Sequence, residues 1–388
     1  MLLNTLRKKL KLWEAQQLKR SRRVISHREY QNNRIIIQGK PCINFSSSDY
    51  LGLTQHPAIQ DATIEGVKRY GMGSGAAPMV SGYFDVVENL ENAFKDWLKV
   101  DSAVFFNSGY TANLGVLSSL LGRQDIVFSD KLCHASLLDG IQLSRAKHYR
   151  YRHNDTLHLE KMATYHPPNL ILTESIFSMR GSLADVPGLH KLAEKYEAEF
   201  IIDDAHGIGV LGKEGRGILE QASLNQAQFS CLILPFGKAF NAMGAMVVGR
   251  KEIIEMVLQF SKTYRYSTAL PPAISFAIQA ALKIIQEESW RRDSLNRNIA
   301  FFNRYFNEKK FEEKNISLLS TDETPVRMIR IGDNAKTMVL QASMWDEGFY
   351  VAAIRPPSVP NAEAALRISL NCLHTEQQIA LLLDKIAL

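Results

Sequence analysis

The chain has 388 residues, of which 46% are hydrophobic and 22% charged. This is the composition of a folded globular protein of two or three domains, and it excludes an intrinsically disordered chain. The net charge is +6, but it is unevenly spread, because residues 1–40 hold 11 Lys and Arg against only Glu14 and Glu29.

The basic N-terminal segment predicts an amphipathic helix, since leucines and Trp13 recur among Lys, Arg and Gln over residues 3–23. We expect its apolar face to pack on the body of the protein, and binding to a membrane surface is the alternative. The segment lacks a signal-peptide core, and no apolar run reaches about 18 residues. We therefore expect a cytoplasmic protein without a membrane segment. The segment also lacks interleaved aromatic residues and matches no nucleic-acid-binding module, so no nucleic-acid partner is predicted.

The four cysteines are scattered, without the paired spacing of a zinc site or a disulfide framework. We expect reduced thiols and no metal ion.

Short apolar strands alternate with helices from about residue 100. The predicted strands are 103–106, 126–128, 170–173, 200–202, 231–234 and 245–248, and the predicted helices between them are 110–121, 136–145, 155–165 and 186–196. This alternation predicts an α/β fold with a mostly parallel sheet covered by helices, whose ligands bind beyond the carboxyl ends of the strands. We divide the chain into a basic helical arm (1–45), a large domain (46–285) and a smaller C-terminal α/β domain (286–388).

Chemically capable residues follow several of these strands. Asp203 and Asp204 end one strand, and His206 follows them. A buried carboxylate stays ionised only beside a cation, which predicts a ligand-facing Asp; capping of the next helix or turn is the alternative.

Lys238 follows another strand in a loop with apolar neighbours. Burial favours the neutral, nucleophilic form of a lysine, and an ordinary surface lysine is the alternative.

Two further strands end at helix starts. The first leads into Ser108, Gly109 and Tyr110, where backbone N–H groups suit a phosphate, although a plain Ser N-cap explains the same pattern. The second leads into His134, for which a structural role is the alternative. No dinucleotide or nucleoside-triphosphate motif is present.

Together, a phosphate-binding helix start, two histidines, a carboxylate and a lysine at one sheet edge match the needs of pyridoxal 5'-phosphate. Its pyridine nitrogen needs a carboxylate, its aldehyde a lysine and its phosphate N–H donors.

On these and further stretches the sequence resembles the α-oxoamine synthases, which are fold-type I PLP-dependent transferases, over nearly the whole chain. The matching stretches are 44–53, 108–110, 134–136, 173–179, 203–207, 237–238, 266–272 and 354–360. The resemblance implies a large domain built on a mostly parallel sheet, a smaller C-terminal domain, and a homodimer with shared active sites.

The resemblance also implies residue roles at the cofactor. Lys238 binds the cofactor covalently and moves the substrate's Cα proton, Asp203 pairs with the ring nitrogen, and His134 stacks on the ring. The full set of implied cofactor residues is Ser108, Gly109, Tyr110, His134, Ser178, Asp203, His206, Lys238, and Ser267 and Thr268 toward the partner subunit.

For substrates, the resemblance implies condensation of L-alanine with a pimeloyl thioester, carried on coenzyme A or an acyl carrier protein, with loss of CO2, in biotin biosynthesis. Arg20 best fits the arginine that binds a substrate carboxylate in this family, and Arg22 is the alternative because the spacing there is ambiguous. The implied substrate residues are Arg20, Arg22, Asn44, Ser47, His134, Ser358 and Arg367. The alternatives are an α-oxoamine synthase with another amino acid or acyl thioester, and a non-catalytic homologue or scaffold subunit.

The chain departs from the family pattern at a few positions. Pro235 stands where a Thr or Ser is usual at the phosphate, and Asn241 replaces a Gly after the lysine. The 73–87 loop is altered, and residues 361–365 lack a usual Gly and Arg. These differences bear on phosphate affinity and substrate detail.

Overall fold

The computed structural model describes residues 1–16, 18–20, 22–29, 33–309, 311–320 and 322–387. The chain forms two compact units, one of Met1–Ser47 with Arg297–Leu388 and the other of Ser48–Asn296. The N-terminal part of the first unit contains α1 (Leu2–Ala15), β1 (Ile25–Glu29), β2 (Arg34–Ile37) and β3 (Lys40–Asn44).

The elements of the second unit follow in chain order. They are α2 (Pro57–Tyr70), α3 (Asp85–Leu98), β4 (Ser102–Phe106), α4 (Gly109–Leu120), β5 (Ile126–Asp130), α5 (Ala135–Ser144), β6 (Lys147–Tyr151), α6 (Thr156–Ala163), β7 (Leu170–Glu174), α7 (Val186–Lys195), β8 (Glu199–Asp203), α8 (Ile218–Gln221), β9 (Cys231–Pro235), β10 (Ala245–Gly249), α9 (Lys251–Phe260), α10 (Lys262–Arg265) and α11 (Pro272–Glu287).

The remaining elements extend to the C-terminus. They are α12 (Trp290–Glu308), β11 (Ser317–Leu318), β12 (Val326–Gly332), α13 (Asn334–Asp346), β13 (Phe349–Tyr350), β14 (Ala352–Ile354), β15 (Ala364–Ser369) and α14 (Glu376–Ala387).

The second unit is built on a seven-stranded sheet in the order β4-β10-β9-β8-β7-β5-β6. Neighbours from β9 to β6 pair in parallel, whereas β10 is antiparallel to both β4 and β9. Every residue of β7 and of β10 is buried, as expected for strands with helices on both faces. The predicted mostly parallel, helix-covered sheet is confirmed.

Local sequence explains where several of these helices begin. Side chains at the N-caps accept hydrogen bonds from backbone N–H groups of the first turn, as Asp155 does from His158 and Asp185 from Gly188. Pro272 stands in the first turn of α11, where a missing N–H costs nothing. The first residues of α6, α7 and α11 therefore follow from local sequence.

The first unit contains two four-stranded sheets, in the orders β1-β2-β3-β13 and β11-β12-β15-β14. The strand β13 pairs in parallel with β3, so the N-terminal and C-terminal parts of the chain share one sheet. His374 stacks on Phe45 with ring centroids 4.0 Å apart, which adds a contact between the same two parts.

The N-terminal helix is shorter than the predicted 3–23 and is not packed as expected. None of the residues of α1 is buried, and its leucines and Trp13 are exposed. The expectation that its apolar face packs on the body is therefore wrong for the single chain. An isolated helix of this length is marginal in water, so α1 gains little stability from its own sequence.

No helix in the described part of the chain combines the length and apolarity that a bilayer crossing demands. In that same part, the thiols of all four cysteines are buried.

Candidate active site

A cavity of about 280 Å³ lies in the second unit at the edge where its parallel strands end. The loops after β4, β5, β7, β8 and β9 meet there because parallel strands present their carboxyl ends to one side. Its lining residues are Ser108, Gly109, Tyr110, Asn113, His134, Ser136, Glu174, Asp203, Ala205, His206, Pro235, Gly237, Lys238, Ala242, Met243 and Gly244.

The N-terminus of α4 forms one wall of the cavity. Ser108 caps the helix, with Oγ accepting from Thr111 N–H at 3.2 Å while Thr111 Oγ1 accepts from Ser108 N–H at 3.1 Å. The Ser108 side chain is thus occupied by the cap, while the first N–H groups of a helix have no partner within it. A Cβ at Gly109 would lie 2.5 Å from Pro235 Cγ, so Gly at this position lets the proline ring close against the helix start.

A buried carboxylate lies opposite this wall. Asp203 is 4% exposed, and its two oxygens accept hydrogen bonds from Ala205 N–H at 3.0 Å and Asn113 Nδ2 at 2.7 Å. Its neighbour Asp204 accepts from Ile218 N–H at 2.9 Å, at the first residue of α8. Each of the two interpretations of this pair thus holds for one residue. Asp203 faces the cavity as a ligand-binding carboxylate would, and Asp204 caps a helix start.

His134 is held at its backbone and at its ring. Its N–H donates to Glu174 Oε1 at 2.5 Å, and its Nδ1 lies 2.7 Å from Ser136 Oγ. Burial lowers the pKa of His134, and the charge of Lys238 adds to that effect while Asp203 opposes it. Burial also raises the pKa of Glu174 well above its ordinary value, and the adjacent Asp203 raises it further. Glu174 is thus the carboxyl at this wall that holds a proton more tightly than an ordinary glutamate.

His206 and Lys238 complete the cavity. Tyr50 OH and His206 Nδ1 lie 2.6 Å apart, which orients this ring. Lys238 stands between the fully buried Phe236 and Phe240 in the loop from β9 to β10. That loop turns back through Asn241, whose φ of +48° is a left-handed conformation that Asn adopts more readily than most residues. The turn thus keeps its shape although Gly is absent.

Three predicted cofactor residues of this unit do not line the cavity, namely Ser178, Ser267 and Thr268. The backbone oxygen of Thr268 accepts from Asn107 Nδ2 at 2.6 Å, one residue before the α4 cap. Thr268 therefore contacts the residue before the helix start, and neither Ser267 nor Thr268 lines the cavity of its own chain.

The predicted substrate residues other than His134 lie in the first unit. Arg20 Nη2 donates to Ser358 Oγ at 2.8 Å. Burial lowers the pKa of Arg355, and the positive charge of Arg20 lowers it further, so two guanidinium groups interact beside Ser358. Arg22 is exposed.

The other residues of that set make local contacts. Asn44 Oδ1 accepts from the N–H groups of Ser46 and Ser47 at 3.0 and 3.2 Å. Arg367 Nη1 donates to Ser369 Oγ at 2.9 Å.

Three polar residues to which the sequence assigned no ligand-binding role line the cavity: Asn113, Ser136 and Glu174. Asn113 lies one helical turn after Gly109, and this spacing places both on one face of α4. Glu174 ends β7 next to Asp203 on β8 in the sheet register. Helical and strand spacing could have indicated these positions, but only the packing brings them to one cavity.

Comparison with known proteins identifies the family. The family model for class I and II aminotransferases matches residues 40–386. The chain belongs to this family. It is 41% identical over 375 residues to the 8-amino-7-oxononanoate synthase of Nitrosococcus oceani, covering 96% of this chain and 97% of that protein. The predicted resemblance to the α-oxoamine synthases is confirmed at the level of the whole chain.

Solved structures of the family support the same assignment of fold. The 8-amino-7-oxononanoate synthase of Francisella tularensis aligns with a TM-score of 0.79 at 34% identity, covering 89% of this chain and 97% of that one. Serine palmitoyltransferase from S. paucimobilis, with bound PLP and myriocin, aligns with a TM-score of 0.89 at 25% identity, covering 99% and 96%. The predicted fold-type I transferase architecture is confirmed.

Proposed function

We propose that this protein is a PLP-dependent acyltransferase that condenses L-alanine with a pimeloyl thioester, releasing CO2 and the carrier thiol and forming 8-amino-7-oxononanoate. The similarity to the 8-amino-7-oxononanoate synthases supports this choice of reaction. The observation that carries the chemistry is the cavity in which Lys238, Asp203, His134 and the start of α4 meet.

The cavity residues fit pyridoxal phosphate. The buried Asp203, which accepts hydrogen bonds from Asn113 and Ala205, suits the protonated ring nitrogen, because a buried carboxylate is stabilised by a cation. The α4 N-terminus supplies N–H groups and a positive dipole end for the phosphate, and Lys238 supplies the amine for the aldehyde. Ser267 and Thr268 are proposed to reach the phosphate of a partner subunit in a homodimer, which accounts for their position outside their own chain's cavity.

When bound, the cofactor supplies an electron-withdrawing ring that stabilises negative charge at the substrate's α-carbon. Lys238 Nζ takes the proton from the α-carbon of alanine and later returns one to the product. Asp203 keeps the ring nitrogen protonated, and His134 covers the ring face and excludes water from it. Each of these tasks requires a fixed side chain, and the hydrogen bonds to Asp203 and His134 supply that fixity.

The acyl group needs a second anchor, because a pimeloyl chain ends in a carboxylate. We place that carboxylate at Arg20, beside Ser358 and Arg355, since two neighbouring guanidinium groups are stabilised by a bound anion. Arg20→Ala is then expected to raise KM for the thioester at least tenfold, whereas Arg22→Ala leaves it nearly unchanged. The reverse result would move the anchor to Arg22.

The test of the function uses the purified protein with and without L-alanine, followed by pimeloyl-coenzyme A. We expect visible absorbance of the bound cofactor, its change on adding alanine, and thiol release that depends on both substrates. Lys238→Ala should abolish turnover and the lysine-bound absorbance, while Lys262→Ala, at an exposed position, should preserve both.

A parallel panel of amino acids and acyl thioesters, including acyl carrier protein, decides between substrates of this reaction class. Faster turnover of another pair would replace the proposed substrates. Absence of cofactor absorbance in the wild-type protein would refute the enzyme assignment and favour a non-catalytic homologue.

A further inference from the structure

A chain of hydrogen bonds joins Asp203 to His134 through two side chains. Asn113 Nδ2 donates to Asp203 Oδ2 at 2.7 Å and to Ser136 Oγ at 2.8 Å, and Ser136 Oγ lies 2.7 Å from His134 Nδ1. Asn113 and Ser136 are 2% and 1% exposed, so water competes little for these bonds. All four residues line the cavity.

The charge of Asp203 fixes the direction of this chain. A carboxylate only accepts, so the Asn113 NH2 group faces it, and the amide cannot be rotated without setting Oδ1 against the carboxylate. Both amide hydrogens are then used, one of them on Ser136 Oγ. The hydroxyl proton of Ser136 remains free to donate to His134 Nδ1.

A second donor reaches the same ring nitrogen. The backbone N–H of Ser136, which can only donate, lies 3.3 Å from His134 Nδ1, because His134 is the N-cap of α5. Two donors on one nitrogen require that nitrogen to carry a lone pair. The remaining proton of the neutral ring is therefore on Nε2, and the positive end of the α5 dipole also disfavours an imidazolium there.

We propose that Asn113 and Ser136 are positioning residues that hold His134 as a neutral imidazole with its proton on Nε2. The ring then offers the cavity an N–H donor and no positive charge. The Asp203 carboxylate is then available to stabilise a cation in the cavity, because a positively charged His134 would compete with that cation for the carboxylate. The consequence for catalysis rests on the proposed function, whereas the hydrogen-bond chain is a property of the protein itself.

The charged groups that face His134 come from several elements. Asp203 on β8 and Asp139 on α5 favour its protonation, and Lys238 after β9 opposes it, with burial the strongest influence. Glu174 on β7 holds the backbone of His134 rather than its ring. The close approach of α5 to α4 makes the chain possible, because a Cβ at Gly140 would lie 2.9 Å from the backbone oxygen of Asn113.

The experiment is nuclear magnetic resonance of the full-length, PLP-loaded protein labelled with 15N-histidine, with the His134 signals assigned by their loss in His134→Gln. In the wild type we expect the Nε2–H tautomer at pH 7.5 and a protonation midpoint below that of a free histidine. Ser136→Ala should shift the midpoint upward by about half to one pH unit and admit the Nδ1–H tautomer, because the neutral form loses a donor.

Ser144→Ala is the matched control, since Ser144 is a buried serine on the same helix whose Oγ donates to Ile141 O. It should leave the His134 signals unchanged. Asn113→Leu, which removes both donors of the amide, provides a second test and should admit the Nδ1–H tautomer too. The acid limb of kcat/KM for L-alanine should move with the midpoint in Ser136→Ala and not in Ser144→Ala.

Protonated Nδ1 in the wild type at pH 7.5, or unchanged His134 signals in both Ser136→Ala and Asn113→Leu, would overturn the proposal. A wild-type protein without turnover but with the expected tautomer would instead refute the proposed function and leave the positioning role intact.

Discussion

The contact between Gly109 and Pro235 gives a quantitative test of how the cavity wall is packed. A Cβ added at Gly109 would meet Pro235 Cγ at 2.5 Å and Pro235 Cβ at 2.7 Å, both shorter than carbon atoms tolerate. Neither side can yield easily, because the proline ring is rigid and Pro235 pairs with Ala245 in the sheet. Gly109→Ala should therefore behave as overpacking and destabilise the protein by about 1–3 kcal/mol.

A double-mutant cycle isolates this contact. Pro235→Gly removes both ring atoms that the new methyl group would meet, so Gly109→Ala should cost little in that background. We expect a coupling free energy of about 1–2 kcal/mol between the two positions, measured by urea unfolding of the cofactor-free protein. Gly115→Ala serves as a comparison, because its Cβ would meet the Ser261 and Thr263 hydroxyl oxygens at 2.3 and 2.6 Å and not Pro235. Its cost should be the same with Pro or Gly at 235.

A cost of less than about 0.5 kcal/mol for Gly109→Ala in the wild type would contradict this prediction, since the wall would then relax freely. An equal cost in the Pro235→Gly background would contradict it too, because the clash would then lie elsewhere.

Three further predictions concern other positions. Pro235→Ser adds a hydroxyl beside the α4 N-terminus and should tighten binding of pyridoxal phosphate about tenfold or more relative to Pro235→Ala, measured by absorbance titration. Ala362 has a φ of +63°, so Ala362→Gly should stabilise the protein by about 0.5–1 kcal/mol in urea unfolding. Burial lowers the pKa of His374 to about 3, so its contribution to stability is complete above pH 6.5 and is lost as the pH falls from there through about 3. At pH 5 the loss amounts to about 2 kcal/mol, and His374→Gln should reduce the fall in the free energy of unfolding between pH 7 and pH 5 by that amount.

Each of these has an outcome that contradicts it. Equal affinities of the Ser and Ala variants at position 235 would mean that the hydroxyl does not reach the phosphate. A lower free energy of unfolding for Ala362→Gly would show that the left-handed backbone at this position does not destabilise the wild-type protein. An unchanged slope of stability with pH between 7 and 5 in His374→Gln would exclude His374 as the titrating group.

The sequence determined the architecture of the second unit and the place of its site. Apolar runs alternating with helices predict a parallel sheet, and the carboxyl ends of parallel strands meet at one edge. Asp203, His134 and Lys238 each follow such a strand, so their convergence on one cavity required no tertiary information.

The tertiary structure decided which of two adjacent side chains faces that cavity. The residue pattern alone leaves Asp203 and Asp204 equivalent, and only the family resemblance favoured Asp203; in the structure Asp203 faces the cavity and Asp204 binds the N–H at the start of α8. The structure likewise left α1 exposed, since an amphipathic pattern states that a helix has an apolar face and not what covers it.

The hydrogen bond between Asn113 and Ser136 could not be predicted from the sequence, for a related reason. Their side chains lie 23 positions apart and meet only because Gly140 lets α5 lie against the backbone of α4. Strand periodicity places a residue at an edge of the sheet. Its hydrogen-bond partners depend on how closely the helices pack, where differences of a few tenths of an ångström matter, and no local pattern encodes these.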